Sequence, residues 1–153
     1  MTELPPCGLY RTTQALPGKE DWVRENLLVY FHNHSQQGPP LLLLPSTNQL
    51  NRWSFHDKGY LVRDPGFVPT LAPLKAEGFY VLSESIFLSK DEMIPERTLV
   101  QLGYNRTGDP ILFLGDISEN QVAFPTSGLK CTLDIFGLLN DVNFRVPIIN
   151  DMH

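Results

Sequence analysis

The chain repeats one sequence pattern with a spacing of about 70 residues, and this repeat constrains the fold more than any other feature. The first copy opens with Gly-Leu-Tyr at residue 8 and the second with Gly-Phe-Tyr at residue 78. Eleven aligned positions are identical, namely Gly8/Gly78, Tyr10/Tyr80, Glu25/Glu96, Leu28/Leu99, Val29/Val100, Gly38/Gly108, Pro40/Pro110, Leu42/Leu112, Leu44/Leu114, Phe55/Phe124 and Gly59/Gly128. Glycine and proline recur at turns, where backbone geometry restricts the choice of residue. The pattern therefore predicts two small units in tandem, related by internal duplication. The competing interpretation is that any two β-hairpins look alike, because strands and turns use few residue types.

Proline and glycine interrupt the whole chain, with 13 prolines and 11 glycines among 153 residues. This punctuation favours short strands and leaves almost no room for a long helix. We expect five strands in each copy, near residues 8–13, 27–33, 40–44, 52–56 and 59–63, and near 78–83, 98–104, 110–115, 121–124 and 128–132. The predicted order is a first repeat at 1–63, a stiff Pro-rich linker at 64–77, a second repeat at 78–132 and a short helical or irregular tail at 133–153.

Helix is expected only as single turns. Ser89 and Glu92 have the spacing of a capping box, and Pro95 should stop that turn at once. Thr132 is a candidate cap for a short helix over 133–140. Beyond it, we expect the tail to pack on the two units through its apolar residues, which are Phe144, Val146, Ile148 and Ile149.

Charge and cysteine content limit the classes of partner and compartment. The net charge is −5, with a balance of +2 in residues 8–63 and −3 in residues 78–132. Neither copy has the basic stripe that phosphate binding needs, so nucleic acid is an unlikely partner. No apolar stretch is long enough for a membrane span, and no signal peptide is evident. Cys7 and Cys131 show no motif spacing, so we expect a cytoplasmic protein with reduced thiols.

Several segments of the two copies together carry a family resemblance. Gly8–Tyr10 and Gly78–Tyr80 have the form of an opening strand, and residues 14–26 form a long loop after the first of them. In Phe124–Leu129, a proline precedes a tight turn and a short last strand, whereas His56 stands where the first copy would have that proline. These features resemble the SH3-like small β-barrel.

The resemblance covers residues 8–63 and 78–132, and it implies an all-β chain of two tandem five-stranded SH3-like barrels. Members that bind proline-rich peptides carry paired tryptophans at the start of the third strand. The third strands here, 41–44 and 111–114, contain no tryptophan. The chain is therefore more similar to a bacterial-type or tudor-like barrel that contacts a protein or peptide partner.

Three histidines form the main candidate for a metal site. His32 and His34 lie two residues apart in a predicted strand, so both side chains point to the same face. His56 lies near the end of the fourth strand and could approach them in an SH3-like barrel. Imidazoles in this arrangement can bind a divalent metal, which would suit a small metal-dependent enzyme. The second copy has no histidine at these positions, so they are also interpreted as surface residues without a metal.

Aromatic residues concentrate in the first copy and suggest a contact surface. The positions of Val29 and Phe31 are apolar in both copies, so these residues are expected in the core. Tyr30 and Trp53, in contrast, align with polar or small residues in the second copy. Large rigid rings at a surface often carry binding energy.

The leading prediction is a non-enzymatic protein-interaction module that uses no cofactor. Its recognition surface would lie on the first repeat, in residues Tyr30, His32, His34, Trp53 and His56. No nucleophile motif or phosphate-binding glycine loop points to catalysis. An inhibitor or immunity-type protein, whose acidic second copy blocks a basic partner, is an alternative. The sequence leaves the oligomeric state open.

Overall fold

The computed structural model describes residues 4–33, 38–88, 90–118, 121–123 and 128–142, and β-strands dominate them. In the first half, the elements are β1 (Gly8–Arg11), β2 (Leu28–His32), β3 (Leu41–Leu43), β4 (Pro45–Gln49), β5 (Arg52–Phe55), β6 (Tyr60–Leu61), the 3-10 helix η1 (Val68–Thr70) and β7 (Ala72–Pro73). In the second half, they are β8 (Gly78–Leu82), β9 (Ile86–Phe87), β10 (Met93–Ile94), β11 (Leu99–Tyr104), β12 (Pro110–Leu114), β13 (Asp116–Ser118), β14 (Gln121–Ala123), β15 (Leu129–Lys130), the 3-10 helix η2 (Leu133–Leu138) and β16 (Leu139–Asp141).

Two five-stranded antiparallel sheets carry the fold, and their strands follow the same order. The first unit, residues 8–73, has the order β6-β3-β2-β1-β7, and the second unit, residues 78–141, has the order β15-β12-β11-β8-β16. In each unit a 3-10 helix leads into the last strand, which pairs with the first strand of that unit. The prediction of an all-β chain is confirmed, and the shared order is the one that an internal duplication requires. The assignment to SH3-like barrels remains a prediction.

The ten strands expected from the repeat all correspond to strands in the structure, and they are shorter than expected where the residues at their ends are described. The structure adds the hairpins β4-β5, β9-β10 and β13-β14, which form two-stranded sheets of their own. It also adds the edge strands β7 and β16. These additional strands are short or polar, so their formation depends on the partner strand more than on the local sequence.

Two segments outside the predicted repeats join the sheets. The expected linker, 64–77, contains η1 and β7, and the Leu74 amide donates to the Leu9 carbonyl over 3.1 Å. The expected helix from Thr132 takes the form of η2, and the chain then extends as β16. The Thr132 side chain makes no capping hydrogen bond. The tail residues that were expected to pack lie beyond the described residues.

The helical turn expected at residues 89–92 is wrong for its described part, 90–92. These residues connect β9 to β10, and Ile94 pairs with Ile86 across this hairpin. Ile94 is buried in the core of the second unit. Burying that side chain through strand pairing outweighs a single capped turn, because an isolated turn fixes several residues for one hydrogen bond.

Each unit has its own hydrophobic core, and β2 contributes to both. The first core contains Tyr10, Leu16, Val23, Val29, Phe31, Leu42, Val62, Phe67 and Leu71. The second contains Leu28, Tyr80, Leu82, Ile94, Val100, Leu102, Tyr104, Leu112, Ile135 and Leu139. Val29 and Phe31 are fully buried, as the repeat predicted. Leu28 is also fully buried, but it packs among residues of the second unit. Opposite faces of β2 therefore serve the two cores.

Matched residues perform the same task in both units. The hydroxyl of Tyr10 donates to the carbonyl of Pro6 over 2.8 Å, and that of Tyr80 donates to Ala76 over 2.6 Å. A Cβ at Gly59 would lie 2.4 Å from the carbonyl oxygen of Leu42. At the equivalent Gly128, it would lie 2.6 Å from the carbonyl oxygen of Leu112. Only glycine allows this close approach to the third strand in each unit.

Candidate functional site

The β4-β5 hairpin of the first unit packs against β11 of the second and forms the junction between them. The indole N–H of Trp53 donates to the Tyr104 carbonyl over 2.7 Å. The Arg106 guanidinium lies over the Trp53 ring, 4.8 Å from the ring centre. This distance is within the range of a cation–π interaction. The half-buried ring of Trp53, expected on a contact surface, thus joins the two units.

Two buried amides strengthen the same junction. The Asn51 side chain donates to the side-chain oxygen of Gln101 over 2.9 Å, and the Gln101 amide donates to the Leu50 carbonyl over 2.8 Å. Buried polar groups are costly unless they are hydrogen-bonded, so this pairing favours one register between the hairpin and β11. Gln101 occupies the position that Tyr30 has in the first unit.

The first candidate binding site is a cavity of 360 Å³ at the edge of this junction, which we call the Trp22 cleft. Its lining residues are Asp21, Trp22, Arg24, Leu27, Leu28, Leu44, Pro45, His56 and Arg106. Trp22 lies on the long loop between β1 and β2, and 62% of its surface is exposed. Val23 beside it is fully buried and anchors the loop in the first core. The loop is therefore held in place while the indole faces solvent.

Arg106 enters the Trp22 cleft from the second unit in a defined orientation. It belongs to the turn between β11 and β12, and its backbone carbonyl accepts a 2.8 Å hydrogen bond from the Leu28 amide. Its guanidinium donates to the carbonyls of Pro45 and Ser46, each over 3.2 Å. These bonds and the contact with Trp53 restrict the side chain. A rigid cation of this kind loses little conformational entropy when it binds a ligand.

A second cavity, of 410 Å³, is lined in part by β5 of the hairpin and is called the Tyr30 cleft. Its lining residues are Cys7, Gly8, Leu9, Tyr30, Arg52, Trp53, Phe55, Leu74, Ala76 and Glu77. The rings of Tyr30 and Phe55 are tilted against each other, with centres 5.7 Å apart. The structure therefore brings together Tyr30 and Trp53, two of the predicted binding residues, in one cleft.

Glu77 is the acidic group of the Tyr30 cleft. One of its carboxylate oxygens accepts the backbone N–H of Trp53 over 3.0 Å. Burial raises the pKa of Glu77, although the hydrogen bond from Trp53 and the charge of Arg52 oppose this shift. A carboxyl group with a raised pKa in a cleft is a candidate for function, but it is also common in structural clusters. The bond to Trp53 gives Glu77 a structural role at the start of the second unit.

The predicted histidines lie at different places. His56 is exposed and lines the Trp22 cleft. His32 is half-buried, with its Nδ1 4.0 Å from the Cys7 sulfur at the edge of the Tyr30 cleft. His34 lies outside the described residues. Within those residues, no group of three or more His, Cys, Asp or Glu side chains is placed to hold a metal ion. The three-histidine site remains a prediction because one member is not described.

Trp22 and Arg106, which give the Trp22 cleft its character, are not among the predicted site residues. Trp22 stands in the charged segment 19–25, and a tryptophan in such a polar loop was a usable signal of a contact surface, because tryptophan is enriched at interfaces. Arg106 gave no signal, because it reaches the first unit only through the packing of the two sheets.

Of the described segments, none forms a helix with the length and apolar character needed to cross a membrane. Comparison with protein families, with curated proteins and with solved structures found no match to this chain.

Proposed function

We propose that the chain is a non-enzymatic protein-interaction module built from two tandem SH3-like units, with its recognition surface on the first. The two sheets support this architecture through their shared strand order and through the 3-10 helix before the last strand of each. The recognition surface includes the Trp22 cleft with His56 and the Tyr30 cleft with Tyr30 and Trp53. His32 borders the second cleft, and His34 completes the predicted set.

The exposed indole of Trp22 is the observation that carries this proposal. Tryptophan is enriched among residues that dominate binding energy, because its large rigid ring removes much surface from water on contact. Here the ring stands beside an apolar floor formed by Leu27, Leu44 and Pro45. Arg24 and Arg106, whose residue type is also enriched at such sites, lie at its rim. Trp53 has the same side chain but is held by Tyr104 inside the junction, so it serves the surface as a support.

The proposal is tested with peptides selected from a random phage-displayed library against the intact protein. Trp22→Ala should weaken the selected peptides by roughly tenfold or more, since a hot-spot residue contributes above about 1.4 kcal/mol. Its melting temperature should stay close to that of the wild type. Phe87→Ala is the matched control, because Phe87 is a 75% exposed aromatic residue on the second unit. It should leave affinity unchanged.

Trp53→Ala separates a supporting residue from a contact residue in the same experiment. We expect it to lower the melting temperature, because it removes the hydrogen bond to Tyr104 and the ring under Arg106. The proposal of a recognition surface on the first unit would be contradicted by two observations together. The selected peptides would bind Trp22→Ala as tightly as the wild type, and they would shift backbone amide resonances of the second unit only.

A further inference from the structure

The charges around the Trp22 cleft indicate which kind of partner it accepts. Two guanidinium groups, Arg24 and Arg106, and the imidazole of His56 line the cleft, against the single carboxylate of Asp21. The whole chain, in contrast, carries a net charge of −5. A local excess of positive charge in a cleft with apolar walls concentrates anionic ligands, because field lines are focused there.

The carboxylate nearest to Arg106 in sequence is occupied elsewhere. Asp109 lies in the same turn, but its oxygens contact Arg11 at 3.2 Å and Lys130 at 3.5 Å. Thr107 also donates a hydrogen bond to Asp109 over 2.7 Å. The charge of Asp109 is thus matched by two other cations, and the described ion pairs leave the Arg106 guanidinium without a carboxylate partner.

Arg106 keeps hydrogen-bonding capacity for a ligand. A guanidinium has five N–H donors, and two hydrogen bonds to the carbonyls of Pro45 and Ser46 hold this one. Among the described residues no other acceptor bonds to this guanidinium, so its remaining donors can serve a ligand in the cleft, and guanidinium geometry suits a carboxylate. The bonds to the first unit fix the direction in which these donors point, so the second unit supplies a preoriented cation to a site on the first.

We propose that the Trp22 cleft binds an acidic peptide segment of a protein partner, with Arg24 and Arg106 pairing with its carboxylates. Trp22 and the apolar floor beside it would cover an adjacent apolar side chain of the same segment. The inference rests on the proposed function and adds the chemistry of the partner. It also assigns a role to the tandem arrangement, since the binding site is complete only when the two units are docked.

Synthetic peptides of matched length test this inference by fluorescence anisotropy on the intact protein. One alternates Glu with Leu, a second replaces each Glu with Gln, and a third replaces each Glu with Lys. A single-stranded oligonucleotide of equal negative charge tests the alternative anion. We expect the Glu peptide to bind at least roughly tenfold more tightly than the Gln peptide at about 0.05 M salt, and this preference to shrink at about 0.5 M salt.

Charge variants locate the interaction. Arg24→Gln and Arg106→Gln should each weaken the Glu peptide by roughly tenfold. Arg63→Gln removes the same charge from an exposed residue outside the cleft and should change affinity by less than about twofold. Arg106→Gln could disturb the junction, so the melting temperature is measured for each variant. Arg24 lies on the loop and tests the cleft without that complication.

Two outcomes would overturn the acidic-peptide assignment. The first is equal binding of the Glu and Gln peptides with no effect of either arginine variant. If Trp22→Ala still weakens both peptides, the recognition surface on the first unit survives and only the charge assignment fails. The second is tighter binding of the oligonucleotide than of the Glu peptide, which would identify a nucleic-acid site. A loss of Glu-peptide binding in Arg24→Gln, with Arg63→Gln unchanged, supports the proposal.

Discussion

Glu77 lies directly before the second unit, and the pKa of its carboxyl group depends on burial at the junction. Its bond to the Trp53 amide places it beside the hairpin that joins the two units. Burial is the largest influence on this group and raises its pKa. The sequence did not single out Glu77, because its environment is formed by β5, which is 24 residues away along the chain.

The raised pKa of Glu77 predicts a specific dependence of stability on pH. An acid whose pKa is higher in the folded state binds more protons there than in the unfolded state. Its contribution to stability is therefore largest below its ordinary pKa of 4.5 and is lost as the pH rises through the folded pKa. Glu77→Gln keeps an oxygen that accepts the Trp53 N–H but cannot ionise. The free energy of unfolding of the wild type, minus that of this variant, should fall as the pH increases from about 4 to about 7.

Urea denaturation at a series of pH values measures this difference. Subtracting the variant removes the contribution of the other titrating groups, provided that they respond equally in both proteins. A difference that stays constant or increases with pH would show that burial does not govern Glu77.

At the scale of elements, the β4-β5 hairpin decides how the two units meet. Its turn residues Leu50 and Asn51 have φ angles of 52° and 66°. Positive φ at both central positions is typical of a two-residue hairpin turn, where Asn-Gly is the usual sequence. Here the first position is leucine, so the sequence lacks the usual signal of such a turn. For this reason β4 is missing from the predicted strands. Gln101 accepts a hydrogen bond from the Asn51 side chain and donates one to the Leu50 carbonyl, and these bonds stabilise the turn conformation.

The receiving strand has a glycine where the hairpin approaches. A Cβ at Gly103 would lie 2.9 Å from the Asn51 carbonyl oxygen and 3.0 Å from the Phe113 ring. The first unit has His32 at the equivalent position. The difference between the copies has a physical reason here, because the Asn51 carbonyl leaves no room for a side chain at position 103.

Gly103→Ala should destabilise the protein by about 1–3 kcal/mol, because the added methyl group overpacks the contact between hairpin and β11. Chemical denaturation measures this change. Gly137→Ala is the matched control, since a Cβ there meets no atom within 4 Å. It should alter stability by less than about 0.5 kcal/mol. If both variants have the same stability, the close approach of the hairpin does not constrain the junction.

At the scale of the whole molecule, the two units are coupled through shared packing. Leu28 of the first unit is fully buried in the second core, and Leu9, Trp53, Phe55 and Leu74 pack at the edge of that core. Ion pairing between Arg11 and Asp109 spans the same boundary over 3.2 Å. A unit of about 60 residues buries only about 60% of its unfolded surface, so each gains stability from the other.

We expect the chain to unfold in one cooperative transition. Leu28 and Trp53 belong to the first unit but pack in and against the second core. If the first unit unfolds, the second core loses these contacts. Scanning calorimetry should give equal calorimetric and van't Hoff enthalpies, and circular dichroism should coincide with tryptophan fluorescence. Two resolved transitions would show that the units unfold independently. The docking of the units would then no longer explain how Arg106 is held in the Trp22 cleft.

The sequence alone determined the properties that depend on local pattern. Turn glycines, prolines and alternating apolar residues predicted the all-β class, ten strand positions and the burial of Val29 and Phe31, because backbone geometry and strand periodicity act over a few residues. Only the tertiary structure decided which residues share a cleft. Trp53 lies in the junction, Trp22 is exposed, and Arg106 of the second unit contacts the first unit. These outcomes depend on the docking of two sheets through residues about 50 positions apart, such as Trp53 and Tyr104, and no local pattern encodes that contact.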